Sequence, residues 1–263
     1  MMLRTFLFTL ALLLSPALRA QSSPATDPAD KNAAQARAVL EATIQALGGQ
    51  AWLEQKNFLR QGHIAAFYQD KAEPGTTDFW EYHQWPGRDR IEFGKHRDVL
   101  QMFVDREGWD LTYRGKKALP EDVTSDFLRR RDHSIELALK VWYKNPNTIL
   151  IYEGKQMAGR HLCDQVTLIS PENESTTILS DISTHLPLRR VFQWRDPVYK
   201  DKNTDVEEYD DYHVFQGFPT PLRITRSKNG EMFRQYYIDR IEYNQTLPDD
   251  FWDVTANARR LKK

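Results

Sequence analysis

Residues 58–114 read FLRQGHIAAFYQDKAEPGTTDFWEYHQWPGRDRIEFGKHRDVLQMFVDREGWDLTYR. Short runs rich in Phe, Tyr, Trp, Ile and Val alternate here with turn residues, and within each run the apolar positions follow a period of two. The runs resolve into strands at Phe58–Gln69, Thr77–Trp85, Asp89–Phe93, Asp98–Asp105 and Trp109–Arg114. Between them stand the turns Glu73-Pro74-Gly75, Pro86-Gly87, Gly94-Lys95 and Arg106-Glu107-Gly108. Connections this short join only antiparallel neighbours, so this half of the chain is a meander.

The period changes on either side. Upstream, Ala36, Val39, Leu40, Ile44 and Leu47 repeat at three- and four-residue steps, and Gly48-Gly49 supplies the left-handed stop that helix ends favour. Downstream, Val123, Phe127, Leu128, Ile135, Ala138, Leu139 and Trp142 follow helical spacing until Asn145-Pro146, which predicts one or two helices lying against the sheet. Strands resume at Thr148–Glu153, His161–Ile169, Ser175–Ile182, Leu188–Trp194, Val206–Phe215, Leu222–Ser227 and Glu231–Tyr243, with an Asn-Gly hairpin at Lys228-Asn229-Gly230. An antiparallel sheet of this extent curls, and helices with an apolar stripe cover its concave face. The expected fold is mainly β with α: a curved antiparallel sheet forming an open half-barrel under a helical lid, with an apolar cavity between the two.

Met1–Ala20 carries Arg4, the apolar run Phe6–Leu14, the breaker Ser15-Pro16 and small residues before Gln21, the pattern of a secretory signal peptide. The run is far shorter than the roughly 20 residues that cross a bilayer, and no cysteine follows for lipid attachment. Residues 21–32 are expected to be a flexible leader, 33–252 one domain, and 253–263 a tail. The expectation is a soluble periplasmic protein with no transmembrane anchor in the mature chain.

Composition excludes several functions. With 36 Lys+Arg against 37 Asp+Glu the chain is too neutral to bind nucleic acid by charge, and its one cysteine, Cys163, builds neither a disulfide scaffold nor a thiolate zinc site. Nucleophile elbows, phosphate loops, zinc-protease and dinucleotide motifs are all missing, so no enzyme, cofactor or metal is expected. The seven histidines are scattered, although His63 and His83 stand on strands expected to be neighbours. Asp201, Asp205, Glu207, Glu208, Asp210 and Asp211 lack EF-hand spacing and read as a solvated loop running into an edge strand. Arg129-Arg130-Arg131 is either a solvated helix face or a grip for an anionic headgroup. Aromatics concentrate on strands and lid, and Trp80, Tyr82, Trp109, Tyr113, Phe127 and Trp142 are the candidate cavity-lining residues.

Five segments resemble the outer-membrane lipoprotein carrier, or LolA-like lipoprotein-sorting, family. They are Trp85-Pro-Gly-Arg-Asp-Arg-Ile-Glu92, Asp105-Arg-Glu-Gly-Trp-Asp-Leu-Thr-Tyr113, Asp181-Ile-Ser-Thr-His-Leu-Pro-Leu-Arg189, the run Tyr209–Pro221, and Leu247-Pro-Asp-Asp-Phe-Trp252. The chain departs from that family's pattern in its longer helical insert, Pro120–Tyr143, and in the turn Arg106-Glu107-Gly108. The resemblance implies a half-barrel whose cavity takes acyl chains. The expected function is a non-enzymatic envelope binding or carrier protein for a lipid, lipoprotein acyl chain or other amphiphile. The alternatives are a sensor or interaction module that presents the same fold to an envelope protein, and a secreted hydrolase with dispersed carboxylates.

Overall fold

A computed structural model describes residues 27–262, so the expected signal peptide lies outside the described residues. The first helix, α1 (Pro28–Leu47), begins inside the stretch expected to be a flexible leader. Asp27 caps it by accepting from the Ala29 amide at 2.9 Å, and Pro28 occupies the first turn, where its missing N–H costs nothing. Gly48, at φ +126°, ends it, and a short α2 (Gly49–Leu53) follows.

The meander then runs through β1 (Asn57–Tyr68), the two-residue β2 (Lys71–Ala72), β3 (Thr77–Gln84), β4 (Arg88–Phe93), β5 (Val99–Val104), β6 (Glu107–Thr112) and β7 (Gly115–Ala118). The lid is α3 (Glu121–Asp132) and α4 (Ile135–Lys140), followed by a single tight turn at Trp142–Lys144. A second meander comprises β8 (Ile149–Ala158), β9 (His161–Ile169), β10 (Ser175–Asp181), β11 (Pro187–Arg195), β12 (Lys202–Phe215), β13 (Phe218–Lys228) and β14 (Glu231–Tyr243). All belong to one antiparallel sheet in the order β7-β6-β5-β4-β3-β1-β14-β13-β12-β11-β10-β9-β8, with β2 beside β1. Strands β7 and β8 are the free ends, so the half-barrel is open, and β1 is the seam between the two meanders.

Strand β13 starts earlier than the expected Leu222 because Pro219 and Pro221 fall where it pairs only with β12; pairing with β14 begins at Arg223. A proline without an N–H is tolerated on such a one-sided stretch. The acidic run is no edge strand: β12 sits between β11 and β13, with Asp205 and Glu207 buried. Residues expected to be a tail form α5 (Val254–Leu261), capped by Asp253, which accepts from the Thr255 and Ala256 amides. This helix covers the convex face, where Phe251, Trp252 and Ala258 pack on Leu100, Met102 and Leu111.

Helices α1, α2 and α4 are fixed to the concave face by Ala36, Leu40, Ile44, Leu47, Trp52, Ile135, Ala138 and Leu139, which pack on Leu150, Val166, Leu168, Ile178 and Ile241. Each fully buried aliphatic chain contributes about 1.5–3 kcal/mol. Helix α3 has one buried residue, Leu128, and is held mainly by polar contacts. Cys163, in β9, is fully buried, and burial pushes its thiol upward. Native protein is therefore expected to be inert to a thiol reagent such as DTNB, with reaction following denaturation; rapid labelling of the native chain would contradict this packing.

Candidate binding cavity

Strand parity decides what faces the lid. On β3 the inward residues are Phe79, Glu81 and His83, whereas Trp80, Tyr82 and Gln84 face outward. On β1, Phe58, Arg60 and Ile64 point inward on either side of Gln61/Gly62, where the partner strand β14 bulges at Asp239. Ile224 and Arg226 of β13, and Ile238, Ile241 and Tyr243 of β14, complete the floor. Over it lie Leu47, Trp52, Phe127, Ile135 and Glu136 from the helices. The cavity measures 150 Å³. Beside it a groove of 880 Å³ runs under α3 between Phe93, Gln101 and Phe103 on one side and Trp194, Phe233 and Tyr236 on the other. Glu81, Phe127, Arg130 and Arg226 line both spaces and form the waist between them. The groove lies within the size range of small-molecule sites.

The floor is charged as well as apolar. Arg190 and Glu207 are register partners on β11 and β12, as are Glu207 and Arg226 on β12 and β13. Their ion pairs measure 2.9 and 2.5 Å. Tyr209 donates its hydroxyl to Glu207 Oε2 at 2.7 Å, and Arg226 donates to the Tyr236 hydroxyl at 2.9 Å. Burial alone would raise the Glu207 carboxyl, but Arg190 and Arg226 hold it well below the usual carboxylate range. Burial, then the neighbouring Glu207 charge, pushes the Tyr209 phenol far up. Within the first meander, Arg60 of β1 donates to its register partner Glu81 of β3 at 2.7 Å.

At the other end of the floor, His83 Nδ1 lies 2.6 Å from Asp89 Oδ1, and Arg131 reaches Asp89 Oδ2 at 3.1 Å and the Gly87 carbonyl at 2.8 Å. These contacts tether α3 to β4. The same helix stacks Phe127 on Phe103 with centroids 3.6 Å apart, lays Arg129 over Trp194 at 3.5 Å, and places Arg130 3.6 Å from Asp205. Close approach of α3 to β6 requires Gly108, because a Cβ there would overlap the Thr124 hydroxyl.

Of the six expected lining aromatics, the structure brings Phe127 alone to the cavity. Trp80, Tyr82 and Trp109 lie on the opposite face, where Arg97 covers Trp80 while Tyr82 and Trp109 pack under α5. Tyr113 occupies the turn after β6 and is 66% exposed. Trp142 packs against His133 beside the lid. The arginine run faces the sheet: Arg130 and Arg131 line the cavity, and Arg129 and Arg130 line the groove. His63 and His83 stand on paired strands without meeting, because His63 is opposite Asp78 and His83 opposite Phe58. No cluster of His, Cys, Asp or Glu among the described residues could hold a metal ion. The ladder Arg190–Glu207–Arg226 escaped the sequence reading. Its one local trace is charge in strand interiors, at Arg190 between Leu188 and Phe192 and at Glu207 beside Val206.

No family model matches the sequence, and no curated protein matches it. Solved structures do share the architecture. A DUF1329 family protein from Desulfovibrio piger superposes with a TM-score of 0.56 at 12% identity, covering 84% of this chain and 97% of the other. A LolA superfamily protein from Nitrosomonas europaea gives 0.53 at 11% identity, covering 82% and 96%. A putative outer membrane lipoprotein-sorting protein domain from Vibrio parahaemolyticus gives 0.53 at 9% identity, covering 88% and 100%. At these identities the likeness is one of fold. The chain has the LolA-like fold, an open antiparallel half-barrel with helices on its concave face, as the sequence motifs led one to expect.

Proposed function

We propose that the chain is a non-enzymatic binding or carrier protein of the periplasm that holds a lipid, an acyl chain or another amphiphile between sheet and lid. The observation that carries this reading is the space itself: a cavity and an adjoining groove with apolar walls from both lid and sheet, and buried charge along the floor. Alkyl chain gains about 0.8 kcal/mol per buried methylene, and the polar floor favours a ligand with a head over plain hydrocarbon. Among the described residues no helix is long and apolar enough to cross a membrane. Lipid extraction of protein purified from its native envelope, followed by mass spectrometry, should recover an amphiphile. Should extraction find none, and a fluorescent fatty-acid probe also fail to bind, the reading falls.

In this reading α3 is the movable part of the lid, because its few apolar contacts contrast with the buried anchors of α4. Gly108→Ala wedges a methyl between β6 and α3, against Thr124 and Leu119. The expected result is a loss of about 1–3 kcal/mol in stability, with several-fold faster association and dissociation of the probe. Unchanged probe kinetics in a destabilised variant would show that α3 does not control access.

A further inference from the structure

One end of the cavity holds polar nitrogens that the protein leaves without partners. His83 lines the cavity with its side chain only 7% exposed, and among the described residues its Nε2 has no hydrogen-bond partner. Trp85 lines the same end, and its buried Nε1–H is likewise unpartnered. The two rings meet edge to face, with centroids 4.8 Å apart. Leaving a buried polar group unsatisfied costs about 1–3 kcal/mol, so two side by side mark a place where an outside group belongs.

The surroundings say what kind of group. Asp89 is fully engaged, with one oxygen on His83 Nδ1 and the other on Arg131. It therefore holds the imidazole in the tautomer with Nδ1 protonated and leaves Nε2 as the ring position without a partner among the described residues. Lys140, at the end of α4, places Nζ 4.7 Å from both the Trp52 and Trp85 rings. Its one hydrogen bond is to the Gln55 carbonyl at 3.5 Å, and among the described residues no carboxylate comes within 4.0 Å of it. The acid that acts on it, Glu136, stands one turn back on the same helix. Burial lowers the Lys140 ammonium to about 8, as expected of a cation short of counter-charge.

We propose that the His83–Trp85–Lys140 end of the cavity is the subsite for an oxyanion head group, a carboxylate or a phosphate, on the bound amphiphile. Trp85 Nε1–H donates to its oxygens beside the His83 ring, Lys140 supplies the balancing charge through the Trp52–Trp85 wall, and the chain lies along Phe58, Ile238 and Ile241. The assignment rests on the cavity reading above and adds the chemistry of the head.

Calorimetric titration of the full chain with dodecanoate, dodecyl phosphate and dodecanol at neutral pH separates the two readings. At least one anion should bind at least about tenfold more tightly than the alcohol, and whichever anion gains more identifies the head. Trp85→Phe, which keeps an aromatic ring and removes the N–H, and Lys140→Met should each narrow that gap several-fold by weakening the anion more than the alcohol. Equal binding of anions and alcohol by the wild type would overturn the subsite while leaving the cavity reading intact, as would a gap unaltered in both variants. If no chain binds at all, both readings fall.

Discussion

Glu207→Ala is expected to destabilise the folded chain by about 3–5 kcal/mol, the range found when one partner of a buried ion pair is removed. For a chain of this size that is a drop of roughly 6–20 °C in Tm. The reason is what stays behind. Arg190 has a fully buried side chain and two guanidinium nitrogens that already lack partners among the described residues, so Glu207 is its counter-charge. Arg226 would lose the same carboxylate, and the Tyr209 hydroxyl its acceptor.

Glu207→Gln keeps much of the shape and should cost less, and its pH dependence is the sharper test. A carboxyl held below its ordinary value of 4.5 in the folded state contributes stability that is fully present above that value. The contribution is lost as pH falls from there through the depressed folded value. The gap between wild type and Glu207→Gln should therefore be constant near neutrality and shrink as pH drops below 4.5. Urea unfolding across that range measures it. A loss under about 1 kcal/mol for the alanine variant, with a pH-independent gap for glutamine, would mean that the ladder is a solvated surface feature after all.

The second large effect is expected at Gly62. This residue sits on β1, the strand that joins the two meanders, opposite the bulge that leaves Asp239 of β14 unpaired in the ladder. A Cβ there would overlap the Tyr237 carbonyl oxygen and crowd the Ile238 backbone at 2.9 Å. Backbone atoms cannot rotate aside, so Gly62→Ala must open the β1–β14 pairing or move the bulge. A moved bulge shifts register, which turns inward side chains outward. The expected loss is about 3 kcal/mol or more, at the upper end of overpacking. Gly75→Ala is the control: its Cβ meets nothing within 4 Å, and only its φ of +83° opposes the change, worth about 1–2 kcal/mol. Thermal melts of the two variants should differ clearly, and equal melting points would remove the structural role assigned to the bulge.

Much of the fold was legible along the chain. His161–Ile169 and Glu231–Tyr243 are strands with the bounds their period implies, and the lid divides into two helices where helical spacing was read. Such elements are specified locally, by side-chain period and by the glycines and prolines that punctuate it. Less was legible where local polarity and tertiary environment disagree. Asp205 and Glu207 lie in a run rich in acids, and nothing nearby in sequence says that Arg190 and Arg226 arrive from the flanking strands to neutralise them. Val254, Ala258 and Leu261 carry helical spacing behind the cap Asp253, a signal sufficient to place α5, although it is too short to say which face of the sheet it covers.

The candidate site shows the division most plainly. Alternation along Phe79–Gln84 establishes from sequence alone that Trp80 and Tyr82 share one face and Glu81 and His83 the other. It does not establish which face is concave. In a sheet with one wet side, the polar set breaks the tie. Here both sides of β3–β6 are covered, by α3 within and by α5 without, so each face carries large apolar residues and the pattern is symmetric. The sequence alone determined twelve of the strands, their turns and the lid, because those depend on neighbours a few residues apart, and the extent of the sheet implied the open half-barrel; the short β2 and β7 were missed. Only the tertiary structure decided that the outward face took Trp80 and Trp109 and the cavity took His83, Glu81, Glu207 and Arg226. That choice depends on how the sheet curls and on partners that meet in space from far apart in the chain.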